Sequence, residues 1–242
     1  MSQTLEQRPH IYNNLQEIMS QDGDHYLPAE LAGQQVRLPM LNVGTKEKPV
    51  YIAYFNPLKD PMCCSLGAIE IAKRLEYLDI DVMLTPSSDK SGPMVEEARK
   101  LASESMKKNV DLIILQRGFP DNMLKESADA VKSTLYSPIT AAGTMRVMVL
   151  RQEQADMIRK INQLGKHIVI VDDVFSKGET ANAVRVLAGY ALESNEKARN
   201  LPMVTVMREC DLSQDGQLDI PNIPNLYPAI ITPVIVGPLP AN

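Results

Sequence analysis

The chain of 242 residues has no tryptophan, 5% aromatic residues, three cysteines and three histidines. Each scarcity narrows what it can be. Two cysteines are adjacent, Cys63 and Cys64, and the third, Cys210, is distant, so neither a disulfide framework nor a zinc-ligand spacing is present. Cys63 and Cys64 read as small hydrophobic residues of a helix. The three histidines, at positions 10, 25 and 167, are scattered. No apolar run approaches the ~20 residues of a membrane span, and Met1 to His10 lacks the apolar core of a secretory signal. A net charge of −5 argues against nucleic-acid or anionic-membrane partners but leaves room for a local basic pocket. Hydrophobic residues make up 44% of the chain, ample for a large core. These bounds describe a soluble, cytoplasmic protein of one large domain, or of a core with an appended subdomain.

Against that background residues 168–180 stand out: Ile-Val-Ile-Val-Asp-Asp-Val-Phe-Ser-Lys-Gly-Glu-Thr. The unbroken β-branched run Ile168 to Val171 suits a strand buried on both faces of a parallel sheet. Asp172 and Asp173 fall where that strand is expected to end. A turn of small and hydroxylated residues follows (Ser176, Gly178, Thr180), and then a helical pattern over Ala181 to Leu192. In open α/β sheets ligands bind beyond the carboxyl ends of the strands. Backbone N–H groups of a turn opening into a helix favour an anion, and Gly178 lets the backbone approach it closely. Ser176 and Thr180 can donate hydroxyl hydrogen bonds. The two carboxylates can accept from a pair of sugar hydroxyls. A sugar diol at the acids and a 5′-phosphate at the turn therefore suit this stretch. A buried strand with a carboxylate-capped turn would account for the hydrophobic residues and one acid, but not for the second acid and the spaced Ser, Gly and Thr.

The rest of the chain supplies a context of alternating strands and helices. Residues 1–32 hold a short helical pattern around Tyr12 to Met19 and then a Gly-Asp-Pro-rich connection. Strands are expected at Val36 to Val43 and Val50 to Phe55, with a charged turn, Gly44 to Lys48, between them. Pro61 opens a helix over Met62 to Leu78. Ile80 to Leu84 is a strand, Pro93 to Met106 a helix, and Val110 to Leu115 a strand. Thr144 to Leu150 is a strand and Gln152 to Leu164 a helix that Gly165 ends. Further strands are expected at Met203 to Met207 and Ile230 to Val236. This order predicts a mainly parallel central sheet flanked by helices. The polar stretch 117–138 exceeds the ~12–15 residues usual for a structureless loop, which marks a lid, a small helix or both.

The stretch 168–180 resembles the phosphoribosyl-pyrophosphate (PRPP) motif of the type I phosphoribosyltransferases, a pattern of four hydrophobics, two acids, two hydrophobics, a small residue, a variable residue, glycine, a variable residue and threonine. Lys177 stands where that family usually carries Thr or Ser. The wider order of elements over about residues 50–210 resembles the same family, and Phe55-Asn56 before Asp60-Pro61 is similar to its adenine- and xanthine-type purine members. The resemblance implies that family's α/β fold, with a small hood built from the chain ends. It divides the chain into residues 1–60 (an N-terminal extension and part of the hood), a core over 61–200, and C-terminal strands and tail over 201–242.

What the resemblance implies chemically is transfer of ribose 5-phosphate from PRPP to a nucleobase, of purine type, with release of pyrophosphate, in nucleotide salvage. Asp172, Asp173 and Lys90 would be catalytic. Ser176, Lys177, Gly178, Glu179 and Thr180 would hold the 5′-phosphate. Ser88, Asp89, Lys90 and Ser91, together with Arg117, would hold pyrophosphate, Lys90 as a mobile point charge. Residues 88–92 also suit an ordinary strand-to-helix turn in which Ser and Asp serve as caps. Mg²⁺ would be held at Asp172 and Asp173, mainly through substrate or water. Phe55 (or Tyr54) and Asn56 could stack on and read the base, or be the end of a strand with an aromatic in the core. The family implies a homodimer. A non-catalytic PRPP-binding sensor with the same pocket is the alternative, and the Pro-rich stretch from Pro221 to Pro240 leaves the base open.

Overall fold

In the computed structural model the described residues are 8–12, 17–21, 24–126, 129–136, 145–212 and 218–239. The chain begins with strands β1 (His10–Ile11), β2 (Met19–Gln21), β3 (Asp24–Leu31), β4 (Gln34–Asn42) and β5 (Val50–Ala53). It continues with α1 (Pro61–Tyr77), β6 (Val82–Pro86), α2 (Gly92–Met106), β7 (Asp111–Gly118), α3 (Pro120–Glu126) and β8 (Ala130–Tyr136). Next come β9 (Arg146–Arg151), α4 (Gln152–Gln163), β10 (Ile168–Phe175) and α5 (Glu179–Ala191). It closes with α6 (Asn195–Arg199), β11 (Met203–Asp211) and β12 (Leu226–Val236).

The strands form one sheet in the order β2-β3-β4-β5-β12-β11-β10-β6-β7-β9-β8, with β1 beside β12. Its centre, β12-β11-β10-β6-β7, is parallel throughout. Antiparallel strands extend it on both sides, β4 and β5 at one and β8 and β9 at the other. One core cluster joins β3, β4, α1 and α2 to the sheet, and a second joins α4, α5 and α6 to it. The expected central sheet flanked by helices is therefore what the chain forms, parallel at its centre and antiparallel on both flanks.

The central strands explain where a cleft must lie. Chain progression from β6 passes through α2 to β7 on one side, and from β10 through α5 to β11 on the other. β6 and β10 are thus neighbours at a topological switch point, where the crossovers diverge and leave a crevice at the carboxyl ends of the strands. Pairing of β10 with β6 stops at Ile170 and Leu84, whereas pairing with β11 continues to Phe175 and Arg208. The crevice opens between those two limits.

Four expectations need correction. The motif strand does not end at the acids: it runs through Asp172 and Asp173 to Phe175, held by β11, and α5 begins at Glu179 rather than Ala181. Of the helix expected over Tyr12 to Met19, residues 13–16 lie outside the described residues, and Met19 belongs to β2. The connection expected before residue 32 contains β3, whose Leu27, Ala29 and Leu31 alternate into the core opposite Val36, Leu38 and Met40 of β4. Arg117 lies within β7, which bends away from β6 after Leu115 and pairs antiparallel with β9 over Gln116 to Gly118. The long polar stretch after it contains α3 and β8, while residues 127–128 and 137–144 lie outside the described residues.

Two of the prolines in the tail sit inside β12. Pro228 and Pro233 pair with Thr205 and Cys210 of β11, and the ladder to β5 covers only Val234 to Val236. Arg74 of α1 donates from Nε to the Pro228 carbonyl at 3.2 Å, so a helix side chain satisfies an acceptor that strand pairing does not. Cys63 is buried in α1, and burial pushes its thiol pKa up to about 12, as befits a core residue. Among the described residues no helix is long and apolar enough to cross a membrane.

Candidate functional site

Two turns face each other across the crevice. After β6, Ser88 Oγ accepts from the Ser91 N–H at 3.2 Å and the Ser88 carbonyl accepts from the Gly92 N–H at 2.8 Å, which folds residues 88–91 into the start of α2. After β10, Gly178 takes φ +80° and caps α5 without a side-chain hydrogen bond. A Cβ there would stand 2.8 Å from the Phe175 ring, so both the conformation and the space require glycine. The first backbone bond into α5 runs from Asn182 N–H to the Gly178 carbonyl. The N–H groups of Glu179, Thr180 and Ala181 precede that bond and are free to meet an anion at the positive end of the helix.

Between the turns lie the charged groups. Lys90 Nζ is 2.9 Å from Asp173 Oδ2 and 5.1 Å from the centre of the Tyr54 ring. Asp172 is buried, 5% exposed, and its Oδ1 accepts the Asp173 N–H at 3.0 Å. Burial, reinforced by the neighbouring Asp173, raises the Asp172 pKa well above the ordinary carboxylate value, and the Arg117 charge pulls only partly against it. Arg117 is fixed by its backbone N–H, which donates to Ser87 Oγ at 2.9 Å at the bend of β7. Its guanidinium also offsets the rise that burial imposes on the hydroxyl of Tyr136.

The cleft brings together Ser88, Lys90, Arg117, Asp172 and Asp173 with the whole turn Ser176, Lys177, Gly178, Glu179 and Thr180. Of the remaining expected residues, Asp89 is exposed and Ser91 is 1% exposed beneath its turn, and neither lines the cleft. Ser91 begins α2 instead of reaching outward. Phe55 also lines the cleft, but its side chain is fully buried and its ring packs under Gly67 of α1. Tyr54 is the aromatic with a partly open ring at the cleft. Asn56 lies behind it, its Nδ2 donating to the Tyr54 hydroxyl at 3.2 Å, and does not line the cleft.

One charged residue of the cleft has no counterpart among the residues expected from the sequence. Glu209 of β11 stands next to Arg208, which pairs with Phe175, and so comes level with the turn after β10. Burial raises its pKa, while the Ser176 hydroxyl and Lys90 pull the other way. The signal that could have found it is a charged pair, Arg208-Glu209, inside an otherwise apolar strand.

The carboxylates also bear on a metal. Among the described residues no three His, Cys, Asp or Glu side chains form a group able to hold a metal ion. Mg²⁺ ordinarily needs no such cage, because it is bound through one or two carboxylates plus substrate phosphates and water. Asp172 and Asp173, adjacent carboxylates at the crevice, fit that requirement.

No family model and no curated protein matches the chain. Solved structures similar to it include an adenine phosphoribosyltransferase from Thermoanaerobacter pseudethanolicus, at 14% identity and TM-score 0.48, with 80% of this chain and 95% of that chain covered. The Giardia lamblia APRTase complexed with 9-deazaadenine is similar at 13% identity and TM-score 0.45, covering 72% and 82%. A Trypanosoma cruzi hypoxanthine phosphoribosyl transferase is similar at 14% identity and TM-score 0.40, covering 70% and 74%. At these identities and TM-scores the likeness carries no argument about chemistry, which rests on the residues of the cleft.

Proposed function

We propose that the protein is a PRPP-dependent phosphoribosyltransferase that transfers ribose 5-phosphate to a nucleobase of purine type and releases pyrophosphate. The observation that carries this reading is the pairing of two anion-suited turns across one switch point, with two adjacent carboxylates between them. A single phosphate site would need only the turn after β10. The facing turn with Lys90 gives a second phosphate group its own place.

In this reading the 5′-phosphate sits at residues 176–180, on the first N–H groups of α5 and the Ser176 and Thr180 hydroxyls. Lys177, exposed on that turn, adds a charge where a hydroxyl would otherwise stand. The ribose hydroxyls face Asp172 and Asp173. Diphosphate lies toward Lys90 and Arg117. Lys90, which bridges to Asp173, exchanges that carboxylate for the departing phosphate oxygens, while Asp173 turns to the sugar. During transfer the C1–oxygen bond to diphosphate breaks as a ring nitrogen of the base bonds to C1, and the sugar becomes oxocarbenium-like. The two carboxylates oppose that positive charge, and Lys90 and Arg117 oppose the negative charge of the leaving group. Mg²⁺, held at Asp172 and Asp173 through substrate or water, supplies further charge neutralisation of the diphosphate. The open face of Tyr54 is the stacking surface for the base, under a hood drawn from the segment before α1, since β11 and β12 of the C-terminal segment belong to the centre of the sheet. A homodimer and a role in nucleotide salvage belong to the same proposal.

The test is pyrophosphate release from PRPP and Mg²⁺ with adenine, hypoxanthine, guanine, xanthine, uracil or orotate in turn. Turnover with at least one purine is expected. Tight PRPP binding without turnover on any base would make the protein a sensor and end the enzyme reading.

A further inference from the structure

On the opposite side of α5 from the core lies a second cavity, of about 690 Å³, larger than the cleft at about 210 Å³. The size falls within the range of small-molecule sites, about 300–1,000 Å³. Its floor is the outward stripe of α5 (Asn182, Arg185, Val186, Gly189 and Tyr190), and its walls come from β8, α4 and α6. The inward residues of the same helix, among them Val184, Leu187 and Ala188, are fully packed in the core.

The charge of this cavity runs against that of the chain. Lys132, Arg159, Arg185 and Arg199 line it, and Glu193 is the one carboxylate among its described lining residues, although the whole protein carries −5. Lys132 and Arg159 flank the exposed Tyr190 ring at 6.0 and 5.9 Å. Arg159 is partly neutralised, by Asp156 at 2.7 Å and Glu193 at 3.7 Å. Lys132, Arg185 and Arg199 make no ion pair among the described residues. Arg185 is half-buried, and its Nε–H has no hydrogen-bond partner among the described residues. The contact it does make is a long 3.5 Å donation to the Leu201 carbonyl, and burial alone pulls its pKa below the ordinary arginine value. Folding brings like charges together from four elements and leaves a guanidinium donor desolvated. Such an arrangement is costly unless an anion completes it.

We infer that this cavity is a second ligand site, separate from the cleft, that binds an anion with two or three linked phosphates, such as a nucleoside di- or triphosphate or an inorganic polyphosphate. Because Asp156 and Glu193 already meet Arg159, the excess charge is carried by Lys132, Arg185 and Arg199 on three separate elements, a spread that linked phosphates can span better than a single phosphate. Guanidinium forks at Arg159 and Arg185 suit phosphate oxygens. Asn182 and Asn195 at the rim carry the donor and acceptor pairs needed to read a base edge.

The experiment is calorimetric titration of the full chain at fixed ionic strength with ATP, AMP, tripolyphosphate and inorganic phosphate. With the cleft filled by saturating PRPP, ATP and tripolyphosphate are expected to bind at one further site, more tightly than AMP or phosphate. Arg185→Gln is expected to weaken both by about tenfold or more, the loss of one charge-assisted contact. Lys132→Gln/Arg199→Gln, altered only at exposed positions, should show the same fall and serves if Arg185→Gln does not fold. Lys90→Met, a change in the cleft, should leave these affinities as they are. Tighter binding of ATP than of tripolyphosphate would identify the nucleotide as the ligand, and equal binding would show that the phosphate chain suffices. The inference is overturned if neither binds, if the cavity variants bind as wild type does, if Lys90→Met abolishes binding, or if only an RNA oligonucleotide or an acidic peptide is retained. None of these outcomes depends on whether the cleft transfers phosphoribosyl groups.

Discussion

Lys90 Nζ and Asp173 Oδ2, 2.9 Å apart, tie the turn after β6 to the strand β10 across the switch point. The pair is mostly shielded, with side-chain exposures of 31% and 14%, so each partner governs the other's readiness for substrate. Removing Lys90 leaves Asp173 without its counter-charge and, in the proposed reaction, the diphosphate without its mobile cation. Lys90→Met should therefore lower turnover by about 10²-fold or more, the scale of losing one group that stabilises developing charge. Asp173→Asn should fall at least as far, whereas Lys177→Thr, at an exposed position, should shift the Michaelis constant for PRPP far more than turnover. Steady-state pyrophosphate release decides the ranking. Equal turnover in the Asp173 variant and wild type would remove the motif from the mechanism.

Gly178 joins fold and function at one atom. Its φ of +80° and the 2.8 Å distance from the Phe175 ring at which a Cβ would stand both oppose any side chain. Gly178→Ala is expected to cost about 1–3 kcal/mol of stability from a strained left-handed backbone. It should also weaken PRPP binding, because the N–H groups beyond it lose their aim. Urea unfolding and PRPP titration measure the two effects, and an unchanged midpoint would show that the turn can relax.

The two turns differ in how openly the sequence displays them. Ile168 to Thr180 is legible because every part of it is local: a β-branched run, two acids, and a turn whose glycine has one possible reason to be there. The switch point is legible only as an alternation of strands and helices, since neighbours in a sheet are chosen by crossovers and not by adjacency. β3 is obscured by Pro28, and β4 carries Pro39, although Leu27, Ala29 and Leu31 keep a two-residue period. Glu209 reaches the cleft only through the register that sets Arg208 opposite Phe175, a long-range pairing that composition does not display. Tyr54 and Phe55 are adjacent and both line the cleft, so which of them is the more open is decided by the room that Gly67 makes for the Phe55 ring, a tertiary contact.

Arg74 and Glu70 of α1 form a buried pair that also anchors two other parts of the chain. Arg74 reaches the Pro228 carbonyl of β12, and Glu70 Oε1 accepts the Ala32 N–H at the turn between β3 and β4 at 2.9 Å. Burial alone would raise the Glu70 pKa, but Arg74, Lys73 and the Ala32 N–H together bring it below its ordinary 4.5. A depressed carboxylate pKa contributes stability that is present above about pH 4.5 and is lost as pH falls through the lower native value. Arg74→Ala should cost about 1.5–3 kcal/mol, the scale of a lost hydrogen bond to a charged group, since Glu70 keeps Lys73 and the Ala32 N–H but loses its main counter-charge. Unfolding measured between pH 3 and 7 should show that loss shrinking at the acid end. A loss that does not vary with pH would assign the effect to packing.

Asp172 should behave in the opposite sense, and this separates the needs of catalysis from those of folding. Its pKa is raised in the native state, first by burial and then by Asp173. Between the ordinary value of 3.8 and the raised native value, the folded chain holds a proton that the unfolded chain has released. Stability therefore falls as pH rises through that window. Asp172→Asn keeps an oxygen for the Asp173 N–H, which Asp172 Oδ1 accepts at 3.0 Å, and removes the titration. The variant is expected to be more stable than wild type at pH 7 by about 1–3 kcal/mol, the ordinary scale of a single-site effect. Its advantage should decline as pH is lowered and disappear below about 3.8. Its turnover should fall, because the neutral amide no longer opposes positive charge on the sugar. Urea unfolding across pH, alongside pyrophosphate release, reads both quantities on the same protein. A variant less stable than wild type at pH 7 would mean that the Arg117 charge outweighs burial at this carboxylate.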